Sequence, residues 1–111
     1  MQKFYEEKKE VEELRKNFNG KKVFTLDVGG QKFKVTQKTL CWDPESDLGK
    51  LFMDEKKVEL EEDGTVFMDR NPVHFTLLLD YLRNQGEKTK LKDLDLSEFL
   101  NLELKFFKIK T

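Results

Sequence analysis

The chain has very little of the two residues on which metal sites and disulfide bonds depend. It contains one cysteine, Cys41, and one histidine, His74, among 111 residues. A lone cysteine cannot form an internal disulfide, and a zinc site normally takes four cysteine, histidine or carboxylate ligands. We therefore expect no disulfide, no metal ion and no other cofactor.

Long apolar runs and an excess of one charge sign are also missing. No apolar run approaches the roughly 20 residues that cross a bilayer, and the charged start MQKFYEEKKE does not resemble a signal peptide. The 21 basic side chains are interspersed with 22 acidic ones, which leaves no electrostatic footprint for DNA or RNA. We expect a cytoplasmic protein that contacts neither nucleic acid nor, through this segment, a membrane.

What the chain does have is phenylalanine and surface charge. Ten residues are Phe and 37% are hydrophobic, so the sequence is not typical of a disordered segment even though 39% of it is charged. The length provides one hydrophobic core and not two. The composition predicts a single folded domain with a heavily charged surface.

Residues 1–19 differ in pattern from the remainder. Phe4, Val11, Leu14 and Phe18 fall on heptad positions among Glu, Lys and Arg, which predicts a short, charged amphipathic helix. Two heptads are too few for a stable coiled coil. The apolar stripe therefore has two interpretations, packing on its own domain or contact with a partner helix.

The first strong strand signal surrounds the pair Gly29-Gly30. Residues 23–28 and 31–36 alternate apolar and polar side chains, as half-buried strands do. Glycine adopts the positive φ that a two-residue turn needs. The stretch predicts a β-hairpin.

Two short helices and a second hairpin are predicted next. Thr36 can cap one helix, and Asp43-Pro44 or Ser46 can begin another. Beyond them, the alternation around Val58 and Leu60 and the run Val66–Met68 flank an Asp63-Gly64 turn, which predicts a second pair of strands.

The clearest helix follows the stretch FMDRNPVHF. Asn71 suits the N-cap and Pro72 the first helical position, and an apolar stripe then recurs at i, i+3, i+4 and i+7. A last helix is predicted from a capping-box-like start at Asp95 and Glu98 through Ile109. The apolar stripe of the helix that follows FMDRNPVHF consists of Phe75, Leu78, Leu79 and Leu82.

No catalytic constellation is visible. Cys41 has no His or Asn near it in sequence and is better explained as a small buried hydrophobe. His74 falls in the first turn of the long helix, where a surface or half-buried position explains it. Carboxylates occupy mostly polar positions of the alternations, and none form an evident acid/base pair. We expect a protein that is not an enzyme.

The motifs, taken in order, resemble a known family. VFTLDVGGQKFKVTQKTLCWDPESDLGKLF followed by DGTVFMDRNPVHFTLLLDYLRNQG is similar to the BTB/POZ domain of the potassium-channel tetramerisation type, over about residues 21–109. The matching positions are Gly29, Gly30, Phe33, Thr39, Leu40, Pro44, Ser46, Asp63, Gly64, Phe67, Asp69, Arg70, Phe75, Leu82 and Arg83.

The resemblance implies an α/β fold, with a small, mainly three-stranded sheet that includes a hairpin and is flanked by helices. It places this domain at residues 20–111, preceded by the short helix of residues 1–19. It also implies self-association into rings of four or five subunits through a largely polar interface, which should weaken at high salt.

The family includes two kinds of protein. Soluble adaptors recruit a cullin-type ubiquitin-ligase scaffold, whereas channel modules hold the subunits of voltage-gated potassium channels together. The Trp before Pro in TLCWDPES resembles the adaptor branch, and the histidine and paired cysteines of zinc-binding channel modules are missing. We expect an adaptor's oligomerisation module, with channel assembly as the alternative.

Two sets of site residues follow from the resemblance. For the contact between subunits we predict Gln31, Lys34, Thr36, Asp69, Arg70 and Asn71. For binding of a cullin-type scaffold we predict Phe52, Met53, Asp54, Asn84 and Gln85. Asp69 and Arg70 have a second interpretation, which is pairing inside one subunit.

Overall fold

The computed structural model of the chain describes residues 20–86 and 94–111, with the side chains of the last helix described from Glu98 onward. The predicted helix at residues 1–19 lies outside the described residues.

A three-stranded mixed sheet forms one layer. β1 (Val23–Val28) lies in the centre, paired antiparallel with β2 (Gln31–Thr36) and parallel with β3 (Val66–Met68). The predicted Gly29-Gly30 hairpin is confirmed. Gly29 has φ of +56°, and a Cβ there would lie 2.6 Å from the Arg70 carbonyl oxygen, so a side chain would strain both the turn and its packing.

The predicted strand around Val58 and Leu60 is wrong. These residues form no ladder, because the Asp63-Gly64 turn closes locally through a hydrogen bond from the Glu61 N–H to the Thr65 carbonyl at 2.7 Å. The Leu60 side chain is 59% exposed, so it does not pack into the core as the predicted alternation requires. β3 pairs with the central strand instead, and the connection between them runs through the helices.

Short helices cover one side of this sheet. α1 (Gln37–Leu40) is capped by the predicted Thr36, and α2 (Asp47–Met53) is capped by the predicted Ser46, whose Oγ accepts the Gly49 N–H at 2.9 Å. A 3-10 turn (Glu55–Lys57) follows α2.

Two longer helices complete the chain. α3 (Pro72–Arg83) begins as predicted, with Asn71 Oδ1 accepting the N–H of Val73 at 2.9 Å. α4 (Leu94–Phe106) begins one residue before the predicted cap Asp95 and ends before the predicted Ile109. Lys108 reverses the chain at φ +56°, and the Ile109 N–H then bonds the Leu104 carbonyl at 2.9 Å in a Schellman-type ending.

The core lies between the helices and one face of the sheet. Phe24, Leu26 and Val28 point from β1 into this core, against fully buried side chains of α2, α3 and α4. The opposite face carries no buried residue. We call it the outer face, and its side chains are Val23, Thr25, Asp27, Lys32, Lys34, Thr36 and Phe67.

Candidate protein-interaction surface

The outer face is set by the strand register. Lys32 of β2 lies opposite Asp27 of β1, and Asp27 in turn lies opposite Phe67 of β3. Side chains directly opposite each other project from the same face of a sheet. Val23 and Phe67 are each 51% exposed, so this face combines charge with apolar side chains that the described part of the chain leaves in solvent.

Charge is divided across the outer face. The edge formed by β2 carries Lys32 and Lys34. At the edge formed by β3 a hollow, which we call the acidic depression, is lined by Asp27, Glu61, Glu62, Asp63, Thr65 and Phe67. The Lys32 Nζ lies 3.8 Å from Asp63 Oδ2, and both side chains are more than half exposed. An exposed pair of this kind is screened by water and salt and contributes little to stability.

Asp63 also holds the turn that leads into β3. Its Oδ1 accepts the Thr65 hydroxyl at 2.6 Å and the Thr65 N–H at 3.0 Å. The hydrogen bond from the Thr65 hydroxyl is the largest cause that keeps the pKa of Asp63 below its ordinary value. The bond from the Thr65 N–H and the charge of Lys32 act in the same direction. The acidic depression therefore keeps this negative charge in mildly acidic solution.

The predicted subunit-contact residues on β2 do not all share one face. Lys34 and Thr36 lie on the outer face, whereas Gln31 lies on the side of Phe33 and Val35, at the exposed end of the strand. Side chains in a strand alternate between the two faces of the sheet, so Gln31 projects from the face opposite to that of Lys34 and Thr36. Lys32 takes the corresponding place on the outer face.

Arg70 has a partner inside its own chain. Its Nη2 and Nε donate to Glu103 Oε1 at 2.5 Å and Oε2 at 3.3 Å, and its guanidinium lies 3.7 Å from the centroid of the Phe106 ring. Glu103 is 0% exposed. This pair agrees with the second interpretation of Arg70, pairing inside one subunit, and the place of Arg70 in a subunit contact stays a prediction. Asp69, its neighbour, is exposed.

Glu103 was not recognised from the sequence, although a signal was present. It occupies the i+3 position of a stripe formed by Leu100, Leu104 and Phe107, which are all buried. A carboxylate on the buried stripe of a helix needs a charged or hydrogen-bonding partner, because an uncompensated buried charge is very costly.

The residues predicted to bind a scaffold protein lie at the ends of two helices. Phe52 is 0% exposed and packs on Phe24 with ring centroids 5.0 Å apart, and Met53 is buried. Their carbonyls accept hydrogen bonds from the buried amide of Gln37, which holds the end of α2 against the core. Their side chains are therefore inaccessible to a partner in this fold.

The remaining members of that set are polar residues that follow the ends of α2 and α3. Asp54 Oδ1 accepts the Lys56 N–H at 3.1 Å, and Asn84 Nδ2 donates to the Asp80 carbonyl at 2.7 Å. Gln85 is exposed and adopts a positive φ of 54° just after α3. The predicted surface is thus reduced to Asp54, Asn84 and Gln85.

The two residues best suited to chemistry are used in packing. Burial raises the pKa of the Cys41 thiol to about 12, and its Sγ lies 3.5 Å from the Gly49 carbonyl oxygen. A thiol with so high a pKa is a poor nucleophile. The His74 ring stacks on Phe99 with centroids 4.3 Å apart. Both residues are accounted for by contacts inside the domain.

The described ranges 20–86 and 94–111 contain neither a metal cluster nor a membrane span. Within them, no three His, Cys, Asp or Glu side chains are grouped so that they could hold a metal ion. None of the helices in these ranges is long and apolar enough to span a bilayer.

Comparison with known proteins gives a family match and several relatives. The sequence model of the BTB/POZ domain matches residues 24–111. SH3KBP1-binding protein 1 of Rattus norvegicus is 33% identical over 75 residues, covering 68% of this chain and 11% of that protein. The human BTB/POZ domain-containing protein KCTD3 is 34% identical over 74 residues, covering 67% of this chain and 8% of that protein.

A third relative matches over a larger share of its own length. The human BTB/POZ domain-containing protein KCTD5 is 39% identical over 71 residues, which cover 62% of this chain and 30% of that protein. The chain thus spans less than a third of the length of each of these three relatives. With a mixed three-stranded sheet flanked by helices and a family match over residues 24–111, the chain belongs to the BTB/POZ domain family, a family of protein-interaction and oligomerisation domains.

Proposed function

We propose that this chain is the homo-oligomerisation module of a cytoplasmic adaptor protein and has no enzymatic activity. In this proposal copies of the domain assemble into a ring of four or five through the outer face of the sheet. The observation that carries the proposal is the outer face itself, because it holds exposed apolar side chains together with charges of both signs.

Physical chemistry favours a protein partner for this face. The face of a sheet that meets only water usually carries polar side chains. Here the outer face carries two apolar side chains, Val23 and Phe67, that are half exposed. Apolar side chains rimmed by charged ones are typical of interaction surfaces. The charged rim supplies specificity and faster association more than affinity, so assembly should weaken as salt rises.

A charge reversal on the outer face tests the contact. Lys34→Glu should lower the mass measured by light scattering behind a sizing column, because it places a negative charge where the interface uses a positive one. Lys50→Glu is the matched control, since Lys50 is an exposed lysine of α2 outside the outer face. Equal masses for both variants and the parent protein would remove Lys34 from the interface.

We further propose that the assembled ring recruits a cullin-type scaffold, with Asp54, Asn84 and Gln85 as the accessible candidates. The support is the similarity to the adaptor branch of the family. Binding of purified scaffold protein to the parent chain, weakened by Gln85→Glu and unchanged by Lys50→Glu, is the expected result. An absence of binding to the assembled parent chain would end this proposal and leave oligomerisation untouched.

Assembly of a potassium channel is the alternative function. None of the three relatives is named as a channel. The sequence of the whole gene product decides the matter, since a channel subunit carries membrane-spanning helices in addition to this domain.

A further inference from the structure

The strand β2 forms one edge of the sheet. The strand order is β2, β1, β3, so among the described residues β2 has a neighbouring strand on one side only. Lys32, Lys34 and Thr36 of this strand are exposed. An edge of this kind presents N–H and C=O groups to which another chain can add a strand. We call the backbone of β2 that faces away from β1 the β2 edge.

The pairing with β1 decides which backbone groups belong to the β2 edge. Along an antiparallel ladder, pairs that exchange hydrogen bonds alternate with pairs that do not. The Gln37 N–H, just beyond β2, donates to the Lys22 carbonyl at 2.7 Å in the same register, so the odd-numbered positions of β2 are the bonded ones. The N–H and C=O groups of Lys32 and Lys34 therefore face away from β1.

One side chain reaches the β2 edge from outside the sheet. Nη2 of Arg83, the last residue of α3, donates to the Lys34 carbonyl oxygen at 3.4 Å, which agrees with the outward direction of that carbonyl. It is the one hydrogen bond that the described ranges 20–86 and 94–111 make to the outward groups of Lys32 and Lys34. A bond of this length is weak, so an incoming N–H can replace it.

Charge decides which kind of strand the β2 edge accepts. Lys34 and Arg83 are exposed, and neither belongs to an ion pair in the part of the chain that the structure describes. Lys32 already lies near Asp63 and adds little. Opposite charges on directly paired residues stabilise a sheet, and like charges destabilise it. The β2 edge of a second copy would place lysine against lysine, whereas a strand with carboxylates meets two uncompensated cations.

We propose that the β2 edge binds an extended acidic segment of another protein as an added strand. The backbone of that segment bonds the outward N–H and C=O groups of Lys32 and Lys34. One of its carboxylates lies beside the Lys34 ammonium, and a second replaces the Lys34 carbonyl as the partner of Arg83. Main-chain hydrogen bonds supply affinity and the carboxylates supply preference for acidic sequences. The contact involves a single subunit, so it goes beyond the proposed ring and does not require it.

Two short peptides test the preference for an acidic strand. One alternates Glu and Val and the other alternates Lys and Val, both with blocked ends and a fluorescent dye. Fluorescence anisotropy with the parent chain should show binding of the Glu-Val peptide that weakens as salt is raised. The Lys-Val peptide should not bind. Equal binding of both peptides, or no binding of the Glu-Val peptide at millimolar concentration, would overturn the inference.

Methylated forms of the Glu-Val peptide test the strand geometry without changing the protein. In an added strand, the N–H groups of alternate residues face β2 and the others face solvent. N-methylation of all Glu residues and N-methylation of all Val residues should therefore have unequal effects. One form should bind about fivefold or more weakly, as the loss of a backbone hydrogen bond predicts, and the other should bind as the parent peptide does. Equal affinities of the two forms would contradict an added strand.

Variants of the protein test the two halves of the contact. Arg83→Glu should weaken binding of the Glu-Val peptide, and Lys50→Glu, outside the β2 edge, should not. Lys32→Pro removes an outward N–H that β1 does not use, a position where an edge strand tolerates proline. Lys32→Gln is its matched control, because it removes the charge and keeps the N–H. Circular dichroism verifies folding, and equal peptide affinities of folded Lys32→Pro and Lys32→Gln would overturn the inference.

Light scattering separates this inference from the proposed ring. Saturating Glu-Val peptide should leave the number of chains in the assembly unchanged. A fall toward the mass of one chain would mean that a second copy occupies the β2 edge, which would overturn the inference. If the parent protein is a single chain of 13.2 kDa, the ring proposal fails, and the peptide measurements still decide on the β2 edge.

Discussion

Arg70 shows how one residue's role depends on a distant part of the chain. It lies at the joint between β3 and α3, and its carboxylate partner Glu103 is 33 positions away on α4. The pair, with Phe106 over the guanidinium, fastens α4 to the sheet side of the core. The pair therefore has a structural role inside the subunit, and Asp69 is an exposed charge at the same joint.

Loss of Arg70 should be strongly destabilising. Arg70→Ala leaves Glu103 buried without its countercharge, and breaking a buried pair on one side typically costs about 3 to 5 kcal/mol. Chemical denaturation measures the change in unfolding free energy. Because Arg70 itself is partly exposed, we expect the lower end of this range.

The double variant Arg70→Ala, Glu103→Leu is the control. Replacing the buried carboxylate with an apolar side chain removes the unpaired charge, so the double variant should recover much of the lost stability. If both variants lose the same stability, the damage comes from lost packing on Phe106 and not from the buried charge.

Asp63 gives the fold a dependence on acid. Its pKa is lowered from the ordinary value of 3.8, so its contribution is fully present above that value and is lost as the pH falls through the lower folded value. Melting temperatures between pH 6 and about pH 2 should therefore fall less for Asp63→Asn than for the parent protein. Glu62→Gln should follow the parent curve, and a parent-like curve for Asp63→Asn would contradict this origin of the acid dependence.

At the scale of elements, α2 contains a glycine at a position where helix propensity alone would favour another residue. A Cβ on Gly49 would overlap the carbonyl oxygen of Asp43 and lie 2.9 Å from the Pro44 Cα. Ala is normally better than Gly in a helix by about 1 kcal/mol. Here the contact is with backbone, which cannot turn aside as a flexible side chain can.

Gly49→Ala should consequently destabilise the domain by about 1 to 3 kcal/mol, the usual cost of overpacking. Thermal or chemical unfolding measures it. Lys50→Ala, at the exposed neighbouring position, should stay within about 0.5 kcal/mol of the parent. A more stable Gly49→Ala protein would mean that the turn before α2 moves freely.

Elements with local signals could be predicted from the sequence. The glycine hairpin and the starts of α1, α2 and α3 depend on a turn or a capping side chain within three residues, and all were found. The strand expected at Val58 was wrong because strand formation needs a neighbour to pair with, and the central strand pairs with Val66–Met68 instead. The end of α4 was misplaced because Lys108 adopts a left-handed conformation more common for glycine.

The candidate site was harder to predict than the fold. The residues predicted from the sequence included Lys34 and Thr36, which lie on the outer face. The distribution of charge over that face could not be predicted, because it arises from strands that are about 30 residues apart in sequence. The exposure of Leu102 could not be predicted, because it depends on which side of α4 meets α3. Such information lies in tertiary packing, which local patterns do not encode.

At the scale of the whole molecule, the described part of the domain has a covered core and an outer face that mixes charged and apolar side chains. A single copy leaves Phe67 and Leu102 in water. This arrangement is unfavourable for an isolated chain and favourable for several copies in contact, so we expect more than one chain per particle in solution.

Sedimentation equilibrium of the parent protein at micromolar concentration tests that claim most directly. At about 0.1 M salt, where the Debye length is about 10 Å, we predict a mass of four or five times 13.2 kDa, which decreases as the salt is raised toward about 1 M. A mass of 13.2 kDa at every concentration and salt condition would contradict the account.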